Sequence, residues 1–145
     1  MPSNYENFWT ATSYAIIGHS AKMDFPKITY NALKKSGKKV FPIDPGAPSI
    51  DGDNAYSDLA SLPERVEAVV IEVPKEETRN WVAQAADAGI RNVWIHMDCE
   101  TPEALELARE KGLNVCYGSC AVMYVIPGLS FHSIHKWINK LLGKY

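Results

Sequence analysis

Three times along this chain a glycine stands directly before a short run rich in β-formers, and each time the residues ahead of it read as a helix. The joints are Gly37-Lys38-Lys39-Val40-Phe41, Gly89-Ile90-Arg91-Asn92-Val93-Trp94-Ile95 and Gly112-Leu113-Asn114-Val115-Cys116-Tyr117. Glycine adopts a positive φ without steric cost, which suits the position just past a helix C-terminus. A helix between two strands is the crossover that a parallel sheet requires. Repeated helix-to-strand joints therefore predict an α/β fold: a doubly wound, mostly parallel sheet of five to six strands with helices on both faces.

Strands are expected at Tyr14 to Ile17, Val40 to Ile43, Val66 to Val73, Val93 to Met97 and Leu113 to Tyr117. They are continuous apolar runs, as befits strands covered on both faces. A brief extended piece near Ala55-Tyr56 would add an edge strand. Helices are expected from Lys27 to Ser36 after Pro26, and from Lys75 to Ala88 with Thr78, Val82, Ala85 and Ala86 on one face. Another should start at Thr101-Pro102-Glu103, which combines a capping hydroxyl, a first-turn proline and an early acid. Tyr5, Phe8 and Trp9 suggest a short helix leaning on the core. Ser130 would cap an amphipathic helix over about 130–142 whose stripe (Phe131, Ile134, Trp137, Ile138, Leu141) packs on the domain or on a second copy, making a homodimer conceivable. The longest loop, Pro42 to Asn54, reads as a surface turn.

The 145 residues suit one domain, with a core spanning 14–120. A net charge of −2 gives nucleic acid nothing to bind to in bulk. No apolar run approaches the ~20 residues that would span a bilayer, and residues 1–12 do not resemble a signal peptide. With only three cysteines, a disulfide framework is not expected, and a cytoplasmic location is.

In an open parallel sheet, ligands lie beyond the carboxyl ends of the strands, so those ends carry the candidate site. After the first strand come Gly18, His19, Ser20 and Lys22. A glycine there lets a phosphate approach the backbone, and the next helix N-terminus would add N–H groups; a plain βα turn is an equal reading. After the second strand come Pro42, Ile43, Asp44 and Pro45. This rigid apolar turn suits an adenine ring, and Asp44 stands where an NAD domain places its ribose-binding acid; a stiff strand exit is the plainer reading. After the central strand come Val73, Pro74 and Lys75, suited to a flat base or a pantetheine arm, or to an ordinary corner. At the last strand, Cys120 follows Gly118 and Ser119. The G-x-G-x-x-G fingerprint, a Walker A loop, a G-x-S-x-G elbow and C-x₂-C pairs are all missing, so neither a catalytic constellation nor a metal site is expected.

Taken in order, these strand ends resemble the small stand-alone CoA-binding proteins of prokaryotes. The stretch is similar to the N-terminal domain of the succinyl-CoA synthetase alpha subunit. The matching motifs are Ala15 to Ser20, Val40 to Pro45, Ala55-Tyr56-Ser57-Asp58-Leu59, Leu62-Pro63, Val69 to Pro74, Val93-Trp94-Ile95 and Ser119-Cys120. The resemblance implies a Rossmann-like fold with coenzyme A, or an acyl-CoA, as ligand. It would set Gly18 and Ser20 against the phosphates, and Pro42, Ile43 and Pro45 around the adenosine. Val73 and Pro74 would lie along the middle of the cofactor, with Cys120 at the family's cysteine position. The chain departs from the family pattern at Asp44 (often Asn), Gly46 (usually basic), Glu72 and Lys75 (often arginines) and His96 (usually Gln). The expected role is a carrier, sensor or regulatory module without its own catalytic apparatus. The alternative is an NAD(P)-binding, oxidoreductase-like domain.

Overall fold

The computed structural model describes residues 8–22, 27–50, 52–96 and 99–117. In chain order the strands are β1 (Ser13–Ile17), β2 (Lys39–Ile43), β3 (Ser49–Ile50), β4 (Asp53–Asn54), β5 (Ala68–Ile71), β6 (Asn92–Ile95) and β7 (Asn114–Tyr117). The helices are α1 (Lys27–Lys35), α2 (Lys75–Asp87) and α3 (Pro102–Glu110). Five strands form one parallel sheet in the order β2-β1-β5-β6-β7. The chain moves outward from β1 to β2, then returns to β5 on the other side of β1. Strand order thus reverses between β1 and β5, which opens a crevice there at the carboxyl edge.

The three joint glycines have φ of 86° (Gly37), 77° (Gly89) and 69° (Gly112), the left-handed conformation that ends a helix and turns it into the next strand. Alternate strand residues feed two buried layers. Ala15, Ile17, Val69, Ile71, Val93 and Ile95 pack with α2 and α3, while Tyr14, Ile16, Val70 and Trp94 pack with Tyr30 and Leu33 of α1. Helices therefore cover both faces, as expected. On α2 the buried residues are Thr78, Trp81, Val82 and Ala85; Trp81 fills the place expected of Ala86, which lies on the flank. Thr101 caps α3, its Oγ1 accepting the Ala104 N–H at 3.1 Å, with Pro102 in the first turn.

Aromatic residues seal the α1 layer. The Phe8 ring lies 5.4 Å from Trp94 and 5.8 Å from Tyr14, Trp9 lies 4.9 Å from Trp94, and the Tyr14 hydroxyl donates to the Phe8 carbonyl. Cys116 is buried in this layer, and Cys99 is buried in the layer of α2 and α3.

Three expectations about the strands are corrected. The central strand is Ala68–Ile71, not Val66 to Val73. At its start the Glu67 N–H is taken by the Ser13 hydroxyl at 2.9 Å, and at its end Pro74 has no amide to continue the ladder. The Pro42 to Asn54 loop is not only a surface turn. Pro42 belongs to β2, tolerated because β2 is an edge strand. Further on, β3 and β4 pair antiparallel, with Gly52 between them at φ 88° and Ile50 tucked into the core. The edge strand near Ala55-Tyr56 reduces to a single parallel bridge, Ile43 to Tyr56. Tyr5, Pro26, Met97 and the 130–142 helix lie outside the described residues.

Candidate functional site

The loop after β1 is held by β2 and its exit. Gly18 is buried, and its N–H donates to the Ile43 carbonyl at 2.9 Å, carrying the β1–β2 ladder one residue further. Asp44, 1% exposed, points its carboxylate back across the gap. It accepts the Ser20 N–H at 3.1 and 3.2 Å and the Gly46 N–H at 2.8 Å. Its own N–H donates to the Tyr56 carbonyl at 2.8 Å. A side chain at Gly46 has no room, because a Cβ there would lie 2.7 Å from the Ala21 nitrogen and 2.8 Å from the Ala21 Cβ. The two loops thus pack backbone against backbone, with one carboxylate between them.

A second tie spans the crevice between β1 and β5. His19 Nδ1 lies 2.7 Å from Glu77 Oε2, and Lys22 Nζ lies 2.9 Å from the same oxygen. Glu77 sits in the first turn of α2, where an acid also meets the positive end of the helix dipole. Burial by itself would raise this carboxyl, but the hydrogen bonds from Lys22 and His19 outweigh it and hold Glu77 below its ordinary value of 4.5. Because the folded value is depressed, the stability this carboxylate contributes is present above pH 4.5 and is lost as pH falls through the folded value. Glu77→Gln should therefore flatten the fall of thermal midpoint below pH 4.5, read by circular dichroism from pH 3 to 7. An unchanged acid limb would show that the tie contributes nothing to folding.

Deeper at the same edge, Glu72 directly follows β5 and is buried. Its Oε1 accepts the Thr29 hydroxyl of α1 at 3.3 Å and lies 3.0 Å from His96 Nδ1. On the outer side, beyond β2, lies a shallow groove of about 510 Å³. Pro45, Pro48 and Tyr56 line it, with Ser57 and Ser61 beside them.

The expected residues are distributed as follows. Ser20 meets Asp44, and Gly18 is bonded to the adjacent Ile43 carbonyl; His19 and Lys22 meet on Glu77; Pro45 and Asp44 line the groove. Ile43 and Val73 are core residues, and Pro42 is buried in β2. Pro74 is half-buried at the start of α2, and Lys75 is exposed in its first turn. Cys120, with Gly118 and Ser119, lies outside the described residues. Among the described residues no group of three or more His, Cys, Asp or Glu side chains converges to hold a metal, and no helix is long and apolar enough to cross a membrane. Glu77 and Gly46 were not foreseen. Glu77 is legible only as an early-turn acid, and Gly46 is marked in the sequence only as a departure from the family pattern, not by its contact with Ala21.

A reversing parallel sheet with both inner loops tied down, and an open groove at its outer loop, defines a Rossmann-like ligand-binding domain. Residues 12–125 match the CoA binding domain family, and the chain belongs to that family. The alpha subunit of an ADP-forming acetate–CoA ligase II from Pyrococcus furiosus is 24% identical over 127 residues; the match covers 78% of this chain and 27% of that subunit. A hypothetical protein from Pyrococcus horikoshii OT3 is 25% identical, with a TM-score of 0.74 over 83% of this chain and 86% of that one. A Thermus thermophilus structure shares the fold at 18% identity, with a TM-score of 0.71 over 85% of this chain and 96% of that one.

Proposed function

We propose that this chain binds coenzyme A, free or acylated, across the carboxyl edge of its sheet, and acts as a carrier, sensor or regulatory module. The observation that carries this reading is the family match over residues 12–125, which spans every strand-end loop of the sheet. In this reading the diphosphate lies against Gly18 and Ser20, and the adenosine lies in the groove at Pro45 and Tyr56. The pantetheine arm passes Pro74 toward Cys120. Residues 1–145 act as one domain in a reducing cytoplasm, with no chemistry of their own. The tied loops favour such binding, because a loop already ordered loses less entropy when it meets its ligand.

The test is thermal. A ligand that binds only the native state stabilises by RT ln(1 + [L]/Kd), about 2.7 kcal/mol at a hundredfold excess over Kd. Millimolar CoA should raise the midpoint clearly, acetyl-CoA should do so comparably, and NAD should not. A shift with NAD and none with CoA would turn the site over to a nicotinamide dinucleotide.

A further inference from the structure

The loop after β1 directs backbone donors inward. The Gly18 N–H goes to the Ile43 carbonyl, the Ser20 N–H to the Asp44 carboxylate and the Lys22 N–H to the His19 carbonyl. The basic groups this loop presents are side chains, the Lys22 ammonium and the His19 imidazole, and both converge on one carboxylate. His19 Nδ1 lies 2.8 and 2.7 Å from the two Glu77 oxygens, and Lys22 Nζ lies 2.9 Å from the second of them. Unlike the enclosed Asp44, this cluster is open to solvent: the Lys22 side chain is 57% exposed, and those of His19 and Glu77 are 16% and 17% exposed. It joins the loop after β1 to the first turn of the helix after β5, across the point where the strand order reverses.

We propose that Glu77 is an internal stand-in for a ligand phosphate: its carboxylate holds His19 and Lys22 until the diphosphate of a CoA-type ligand takes them over, which makes Glu77 a specificity-determining residue. The inference rests on the reading that such a ligand lies across this edge. A carboxylate and a phosphate seek the same partners, N–H donors and positive charge. A diphosphate brings more charge and more acceptor oxygens than the one carboxylate it replaces, so it wins the exchange; a ligand with a single carboxylate has no such advantage. The displaced Glu77 side chain turns to the water it already touches. The Asp44 contacts with Ser20 and Gly46 keep the loop in place throughout. Exclusion of weaker anions by a built-in competitor is selection by repulsion as much as by attraction.

Isothermal titration of the full chain with CoA tests it in three variants. Glu77→Gln keeps the shape and removes the charge, and should bind CoA about fivefold or more tighter than wild type at low salt, with a smaller gain at high salt. Lys22→Met, a change at an exposed side chain, should weaken CoA binding severalfold. In the double variant the gain from Glu77→Gln should shrink, because the cation it releases is gone. Wild type binding CoA as tightly as Glu77→Gln, or tighter, would overturn the stand-in and leave the proposed function standing. Undiminished affinity in Lys22→Met would do the same, and that variant decides the matter if Glu77→Gln fails to fold. Binding of CoA by neither wild type nor Glu77→Gln would overturn the proposed function and this inference with it.

Discussion

Trp94→Ala is expected to lower the free energy of unfolding by about 4 kcal/mol, the usual range for deleting a buried large aromatic side chain being about 3–5 kcal/mol. Trp94 is fully buried in β6, with Phe8 and Trp9 against it. Its indole fills the centre of the α1 layer, and the neighbouring β-strand backbone cannot collapse into the space left behind. Trp94→Phe should lose less than half as much, because a ring still meets Phe8. Urea denaturation checks both, with a shifted midpoint and an unchanged slope. A loss under about 1 kcal/mol for the alanine variant would mean that the layer closes over the gap.

Asp44→Ala should cost about 3 kcal/mol and weaken ligand binding as well. Hydrogen bonds to a charged group contribute roughly 1.5–3 kcal/mol each, and this carboxylate accepts from two backbone amides, Ser20 and Gly46. Without it both N–H groups lose their partner, and the loops after β1 and β2 lose their tie. Ligand affinity then falls because those loops must be ordered at the moment of binding. Asp44→Asn keeps an acceptor oxygen and should fall between wild type and the alanine variant. Full stability in Asp44→Ala would indicate that solvent replaces the carboxylate.

Local chemistry made the framework legible and left the ties across it unread. Gly37, Gly89 and Gly112 each announce a helix end by a conformation that other residues avoid, so the αβ alternation follows from single residues. The parallel sheet and its two covered faces follow from continuous apolar strands. The β3–β4 hairpin was missed although Asp51-Gly52 is a recognised turn signal, because the surrounding prolines and aspartates read as a loop. The limits of the central strand depended on Ser13, 54 residues from Glu67. In the candidate site, Asp44 was legible as an acid at a strand end, but its contact with Ser20 was not. The contacts that give these residues their roles join positions 24 apart for Ser20 and Asp44, and 58 apart for His19 and Glu77, and no periodicity encodes them.

The two thiols buried among the described residues make the molecule its own clock. Cys116, 1% exposed in the aromatic layer, has its thiol pushed up to about 11 by burial, and Cys99 is enclosed in the opposite layer. A thiol so placed is about one part in a thousand thiolate at pH 8 and is out of reach of an alkylating reagent. Modification must wait for the surrounding layer to open. When closing outpaces labelling, the observed rate equals the intrinsic rate multiplied by the open fraction. In a Cys120→Ser background each remaining sulfur therefore times the breathing of one side of the sheet. Equal rates would mean that both sides open in one cooperative event, and unequal rates would show which side loosens first.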